Sequence, residues 1–140
     1  MSESSIPLGI WRSHYEYPSS SRQAEFEGEH FMRLHQKDNH LVFESVSKVS
    51  KSYTIVRLTI DEDVATGSWQ EQTEPEGYYK GATYYGAIQL LISDDKKHMQ
   101  GKWVGFGKDM KVNTGPWEFT YVGAELPEHL TTKVKDSTAA

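Results

Sequence analysis

The residue types that most often carry chemistry are present, but their spacing forms no familiar catalytic or metal-binding motif. The six histidines show neither a His-x-His nor a His-Glu-x-x-His arrangement, and they are His14, His30, His35, His40, His98 and His129. A metal site would have to assemble from them across strands, and the Gly-x-Ser-x-Gly turn of many hydrolases does not occur in the sequence. The sequence therefore predicts a protein that is not an enzyme and that holds neither a metal nor a cofactor.

Several polar residues share a strand face with large apolar side chains. Residues two apart in a strand lie on the same face, so Glu71 and Thr73 follow Trp69 on one face. Arg57 and Gln89 alternate with apolar residues in the same way. If these faces point inward, their polar groups need partners from each other, from water or from a ligand. The alternative, in which they point into solvent, stays open, above all for Arg57.

The four tryptophans share one motif, Gly-x-Trp. It occurs at Gly9–Trp11, Gly67–Trp69, Gly101–Trp103 and Gly115–Trp117. A glycine beside an indole on the same face lets a strand bend sharply, which the corners of a small barrel require. Two interpretations remain open: the indoles fill the barrel, or some of them line a cavity and stack on a flat ligand.

Tyrosines are concentrated between residues 77 and 86, where four of the eight lie among small residues. Tyr78 and Tyr84 are in this segment, together with Lys80. Such a segment can form a rim that contacts a ligand or another protein. It can also be an ordinary strand with tyrosine on both faces, which β-propensity favours.

The elements that must position these residues are short strands, because apolar residues recur with period two between turn-forming clusters. We predict eight strands, at Leu8–Tyr17, Ala24–Leu34, Leu41–Ser47, Tyr53–Ile60, Val64–Thr73, Tyr78–Ile92, Met99–Phe106 and Val112–Val122. Short turns join them, so the predicted fold is all-β, a single eight-stranded antiparallel up-and-down barrel of the calycin-like kind. The barrel domain would span residues 6–123, and residues 124–140 would be a C-terminal tail, flexible or a short helix.

Composition excludes several classes of protein. The chain has 140 residues, a net charge of −5 and no cysteine. The acidity argues against direct binding of duplex DNA, and the lack of cysteine rules out disulfide scaffolds and thiolate metal sites. No apolar run is long enough for a spanning helix, and no secretory signal is visible. We expect a cytoplasmic protein that does not associate with membranes.

The sequence resembles an uncharacterised bacterial calycin- or lipocalin-like barrel domain that occurs behind helix-turn-helix regulator modules. The resemblance covers about residues 8–122 and depends on ordered blocks at 9–17, 28–30, 66–71, 77–82, 87–90, 101–108 and 112–118. More loosely, the chain is similar to the β-barrel sensor domains of anti-phage defence effectors, which bind cyclic oligonucleotides. The resemblance implies a sensing role in bacterial regulation or antiviral defence, with a partner regulatory domain or a second copy of the chain.

These observations lead to the hypothesis of a non-enzymatic barrel that binds a small, flat, anionic molecule, with a nucleotide or cyclic nucleotide as the first expectation. Aromatic rings would stack on a base, a basic side chain would meet phosphate, and polar groups would add hydrogen bonds. The candidate ligand-binding residues are Trp69, Trp103, Tyr78, Tyr84, Arg57, Glu71, Thr73, Gln89, Lys80 and Lys102. Two alternatives are a protein-interaction module with a packed barrel and a Tyr-rich contact surface, and a barrel enzyme that uses Glu71.

Overall fold

The alternation of apolar and polar residues produces eight β-strands in the computed structural model, which describes residues 6–19, 24–46, 53–72, 83–106 and 111–126. The strands are β1 (Gly9–Ser19), β2 (Ala24–Lys37), β3 (His40–Ser45), β4 (Tyr53–Asp61), β5 (Val64–Gln72), β6 (Thr83–Ile92), β7 (His98–Phe106) and β8 (Val112–Gly123). Each strand pairs antiparallel with the next, and β8 pairs with β1 to close the barrel. The predicted all-β fold, an eight-stranded antiparallel up-and-down barrel, is confirmed. Among the described residues, no helix has the length and apolar character needed to cross a membrane.

Most strands differ from the sequence-based prediction by one to three residues at one or both ends, and β2 continues to Lys37 where the prediction ended it at Leu34. The first strand continues through Pro18 to Ser19, because Pro18 pairs with Glu25 of β2 while pairing with β8 ends at Tyr15. A strand segment with one free edge tolerates proline, which cannot donate a ladder hydrogen bond. The sixth strand is seen from Thr83, and the residues before it that we predicted as strand lie outside the described part. The predicted tail also lies outside it from residue 127 onward.

The two ends of the barrel differ in character. Short turns join β2 to β3, β4 to β5 and β6 to β7 at one end, and Asp38, Glu62 and Lys96 take positive φ values of 55°, 58° and 63° there. The side chains that fill this end are apolar, and we call it the apolar end: Leu34, Leu41, Leu58, Ala65, Leu90, Ile92 and Met99. The polar end is the opposite one, where β1, β3, β5 and β7 terminate. His30, Ser45, Thr54 and Glu71 point into the barrel near it.

Glycines provide the space that the indoles occupy. A Cβ on Gly86 would lie 2.5 Å from Nε1 of Trp69, and a Cβ on Gly105 would overlap the same ring. Gly67 and Gly101, the glycines of two Gly-x-Trp motifs, instead lie against the carbonyl oxygens of Arg57 and Gln89 on the neighbouring strands. These two motif glycines therefore allow the neighbouring strands to approach closely, while the space for Trp69 comes from glycines on the next two strands.

Replacing Gly67 by alanine should destabilise the barrel, because the added Cβ would overlap backbone that cannot rotate away. Overpacking of this kind costs about 1–3 kcal/mol. Urea unfolding followed by tryptophan fluorescence gives the free energy of unfolding. Gly123→Ala is the matched control, since a Cβ there would have its nearest neighbour 3.9 Å away, and the two variants should differ clearly.

Candidate functional site

The indole nitrogens are all hydrogen-bonded, which fixes the orientation of the four rings. The donor and acceptor pairs are Trp11 to the Pro7 carbonyl (2.9 Å), Trp69 to the Val104 carbonyl (3.3 Å), Trp103 to the Glu16 carbonyl (3.0 Å) and Trp117 to the Ser13 hydroxyl (2.6 Å). A buried indole N–H without an acceptor is destabilising, so these pairings hold the rings in one arrangement.

A column of contacting aromatic rings fills the middle of the barrel. The centroid distances along it are Trp11–Phe43 5.6 Å, Phe43–Phe119 4.5 Å, Phe119–Trp117 5.6 Å, Trp117–Trp69 5.8 Å and Trp69–Trp103 5.6 Å. These separations are those of aromatic rings in direct contact. The interpretation that the indoles fill the barrel is therefore confirmed for the described part of the interior. On β5, the next inward residue after Trp69 toward the polar end is Glu71.

Glu71 lies at that position, two residues after Trp69 on the same face of β5. Its two carboxylate oxygens accept the hydroxyl hydrogen of Tyr15 at O···O distances of 3.3 and 3.2 Å. Tyr15 is on β1, four strands from β5 in an eight-stranded barrel, so this hydrogen bond joins opposite walls. The Tyr15 ring packs 4.8 Å from the ring of Trp117. We call Tyr15, His30, Trp69, Glu71 and Trp117 the Glu71 cluster.

Burial shifts the pKa values of the carboxyl group and the imidazole in the Glu71 cluster. It raises the pKa of Glu71 to about 7, and the hydrogen bond from Tyr15 lowers that pKa only in part. It lowers the pKa of His30 to about 4, so the imidazole is neutral near pH 7. The His30 Nε2 lies 4.0 Å from Glu71 Oε2, and this contact is therefore not an ion pair at that pH. Within the described interior, Glu71 is the group that can gain or lose a proton near neutrality.

A hydrogen-bonded pair of hydroxyl residues holds His30. Thr54 Oγ1 lies 3.3 Å from His30 Nδ1. The Ser45 hydroxyl donates to the Thr54 carbonyl (3.2 Å), and the Thr54 amide donates to the Ser45 hydroxyl (2.9 Å). These contacts connect β2, β3 and β4, and they fix the imidazole with Nε2 toward Glu71.

The structure brings four of the ten predicted site residues to the interior. Trp69 and Trp103 are buried in the aromatic column, and Glu71 lies beyond Trp69. Tyr84 is half-buried, packs against the core and is paired with Glu71 in the register of β5 and β6. Thr73, Tyr78 and Lys80 lie outside the described residues.

The other three predicted residues are not near the indoles, which corrects the expectation of a single convergent site. Arg57, Gln89 and Lys102 are exposed on the outer face of the barrel. Their strand neighbours occupy the inner face, namely Val56, Leu58, Ile88, Leu90 and Trp103. Strict alternation then leaves the polar residues outside. The Gln89 amide donates to the Thr66 hydroxyl on the outer face of the adjacent strand (3.1 Å).

Five residues of this part of the interior were not among the ten predicted site residues, namely Tyr15, His30, Ser45, Thr54 and Trp117. Tyr15 is on the face of Trp11, and Ser45 and Thr54 continue the apolar alternation of β3 and β4. The available signal was a polar residue at an inward position of an otherwise apolar strand face. The contact of Tyr15 with Glu71 has no sequence signal, since the two residues are on opposite walls.

Two depressions in the described part of the chain both lie outside the barrel. One, of about 410 Å³, lies over β3, β4 and β5 and includes His40, Val42 and Arg57. The other lies over β8, β1 and β2 and is lined by Arg12, Glu29 and Glu118 among others. Neither contains a residue of the Glu71 cluster.

Within the described ranges, no group of three histidine, aspartate or glutamate side chains is arranged to hold a metal ion.

No protein-family model matches the sequence, and neither curated proteins nor solved structures give a match. The resemblance to regulator-associated barrel domains therefore stays a prediction.

The raised pKa of Glu71 predicts a pH-dependent contribution to stability. The folded state binds this proton more tightly than the unfolded chain, in which the pKa is near its usual 4.5. The free energy of unfolding that Glu71 contributes should therefore fall as pH rises from about 4.5 to 7, by on the order of 3 kcal/mol. The difference in unfolding free energy between the wild type and Glu71→Gln, measured at pH 4.5 and at pH 8, isolates this contribution from that of His30.

The effect of His30 has the opposite sign, because its lowered pKa favours folding above pH 6.5 and is lost toward pH 4. This contribution of His30 is present in both the wild type and Glu71→Gln, so it cancels when their unfolding free energies are compared. Glu118→Gln on the exposed face of β8 is the control. If the wild type and Glu71→Gln differ by the same amount at the two pH values, the burial argument is contradicted.

Proposed function

We propose that the chain is a non-enzymatic barrel that binds a small molecule at its polar end, against the Glu71 cluster. The observation that carries this proposal is an inward carboxyl group that accepts a hydrogen bond from Tyr15 and lies 4.0 Å from the His30 imidazole. Burial raises the pKa of this carboxyl group to about 7. Ligand sites typically combine apolar and aromatic walls with a few polar groups that fix orientation. A second feature of such sites is a partly enclosed ionisable group whose pKa is shifted from its usual value.

We expect the ligand to carry a flat ring, because aromatic side chains surround the inward carboxyl group of Glu71. Trp69, Tyr15 and Tyr84 place aromatic side chains around Glu71, and aromatic side chains favour stacking or edge contacts with planar groups. A nucleobase fits this description, so a nucleotide or cyclic nucleotide remains our first expectation. Its phosphate would lie outside the aromatic interior, because Arg57 and Lys102 are on the outer surface.

The biological role is proposed from the resemblance alone. A barrel of this kind, next to a regulatory module or a second copy of itself, would report the presence of its ligand by changing that contact. This is the sensing role in bacterial regulation or antiviral defence that the resemblance implies. Binding by itself needs no catalytic step.

A thermal-shift screen tests the proposal directly. It should use nucleotides, cyclic dinucleotides and neutral aromatic ring compounds, and at least one class should raise the melting temperature. A ligand at 100 times its Kd adds about 2.7 kcal/mol to the free energy of unfolding. Glu71→Gln should weaken the response to that ligand.

The thermal shift of Lys102→Gln distinguishes binding in the interior from binding on the outer surface. The Lys102 side chain is exposed, so this variant should respond to the ligand as the wild type does. A response abolished by Lys102→Gln but not by Glu71→Gln would place the ligand outside the barrel. If none of the three ligand classes raises the melting temperature, the proposal is contradicted.

A second candidate function is a protein-interaction module, favoured by one feature of the outer face. Tyr85, Phe106 and Val112 are 50%, 43% and 71% exposed and are paired across β6, β7 and β8. Val104, 41% exposed, adjoins them. Contiguous exposed apolar residues often mark contact surfaces. A second copy of the chain presents the same surface, so a two-fold symmetric dimer could bury it on both sides.

Concentration-dependent size measurement checks this second candidate. If the apolar row mediates self-association, the apparent mass in sedimentation should rise with protein concentration, and Phe106→Ser should abolish the rise without unfolding the chain. Leu91→Ser, at an exposed apolar position of β6 near the apolar end, is the control. A particle that stays monomeric at all concentrations would count against self-association.

A further inference from the structure

The interior of the barrel carries a specific electrostatic property. Every described arginine and lysine is exposed, except Lys96, which lies in the turn between β6 and β7. Glu71 and His30 are the ionisable acid and base that point inward among the described residues, and His30 is neutral near pH 7. The described interior therefore offers a ligand one potential negative charge and no positive charge.

The hydrogen-bonding capacity of Glu71 is only partly used. A carboxylate has about four acceptor positions, and Tyr15 is the described residue that donates to it. Nε2 of His30, at 4.0 Å, is beyond hydrogen-bond distance. The register neighbours of Glu71 on β4 and β6, Thr54 and Tyr84, are uncharged. When ionised, the carboxylate thus lacks a cationic partner among the described residues of a partly dehydrated site, which is an expensive arrangement.

We infer that the group recognised by Glu71 is a planar, nitrogen-rich one that presents two adjacent N–H donors, as an amidine or an amino-substituted heterocycle does. Two parallel N–H groups match the two oxygens of a carboxylate in a bidentate pair. A positive charge on such a group would also be attracted to the faces of the surrounding aromatic rings. This inference rests on the proposed small-molecule function and names the chemistry of the part of the ligand that enters the barrel.

The charge preference is opposite to that of an anion-binding barrel. An anionic group next to Glu71 would meet a like charge and no compensating cation among the described interior residues. A nucleobase edge with N–H donors agrees with the inference, while a phosphate placed at Glu71 does not. The ligand can still carry a phosphate elsewhere.

Benzamidine and benzoate form a matched pair of probes, since both are a phenyl ring with a planar substituent and they differ in the sign of the charge. Isothermal titration calorimetry at pH 8 should show binding of benzamidine and at least tenfold weaker binding of benzoate. Glu71→Gln should weaken benzamidine binding by tenfold or more. Glu118→Gln, the same substitution on the exposed face of β8, should leave it unchanged.

The pH dependence provides an independent measurement. Benzamidine remains protonated between pH 5 and pH 8, and His30 remains neutral, so Glu71 is the described interior group that titrates. Affinity should be level above about pH 7 and should fall by up to about tenfold per pH unit below it, because binding requires the ionised carboxyl. In Glu71→Gln this dependence should vanish.

Tyr15→Phe keeps the experiment informative if Glu71→Gln does not fold. The Tyr15 hydroxyl lowers the pKa of Glu71, so its removal should move the midpoint of the pH dependence upward. An unchanged midpoint, equal binding of benzoate, or binding of neither probe at millimolar concentration would each overturn the inference. If neither probe binds but another ring compound does, the inference alone fails. If nothing binds, the proposed function fails as well.

Discussion

Enclosing four indoles in an eight-stranded barrel imposes two conditions on the rest of the structure. Each ring needs empty volume on the wall beside it, and each buried N–H needs an acceptor. Gly86 and Gly105 meet the first condition for Trp69, and the Val104 carbonyl meets the second. Because the volume comes from neighbouring strands, the strands must keep their register for the ring to fit. The aromatic column therefore specifies strand pairing as well as filling the core.

The same column explains why an ionisable group at Glu71 matters. Trp69 and Trp117 close the middle of the barrel, so the next inward layer is only partly hydrated. A glutamine would make most of the same contacts there without the cost of a buried charge, and an apolar residue would extend the core. A carboxyl group with a pKa near 7 is thus unfavourable for stability alone at neutral pH. Residues that are unfavourable for stability, as this buried carboxyl group is, occur mostly at functional positions of a protein.

The fold could be predicted because each strand carries its own period-two signal and each turn its own residues. At Gly67 and Gly101 the glycines of the Gly-x-Trp motif lie against neighbouring backbone, and the strand bend that the motif indicates stays a prediction. The inward face was harder to assign where both faces of a strand contain apolar residues. On β4, Ile55 and Val56 lie on opposite faces, and Arg57 shares the face of Ile55. Arg57 is exposed because the face of Val56 is the inner one. The contact between Tyr15 and Glu71 could not be predicted, because it depends on how closely two opposite walls of the barrel approach each other.

In a closed sheet, alternate residues of each strand point inward and outward, so the position of a charged residue in its strand decides whether its charge lies inside the barrel or in solvent, whatever the net charge of the chain. In the described residues it leaves arginines and lysines such as Arg57 and Lys102 in solvent and directs Glu71 to the interior. The net charge of −5 therefore says little about the ligand, because solvent and salt screen the outer charges while the interior carboxyl acts at short range in a medium of lower dielectric. Under the proposed function, a ligand that enters this barrel would be selected by the one ionisable oxygen pair that it meets among the described residues, and by the rings of Trp69 and Tyr15 beside that pair.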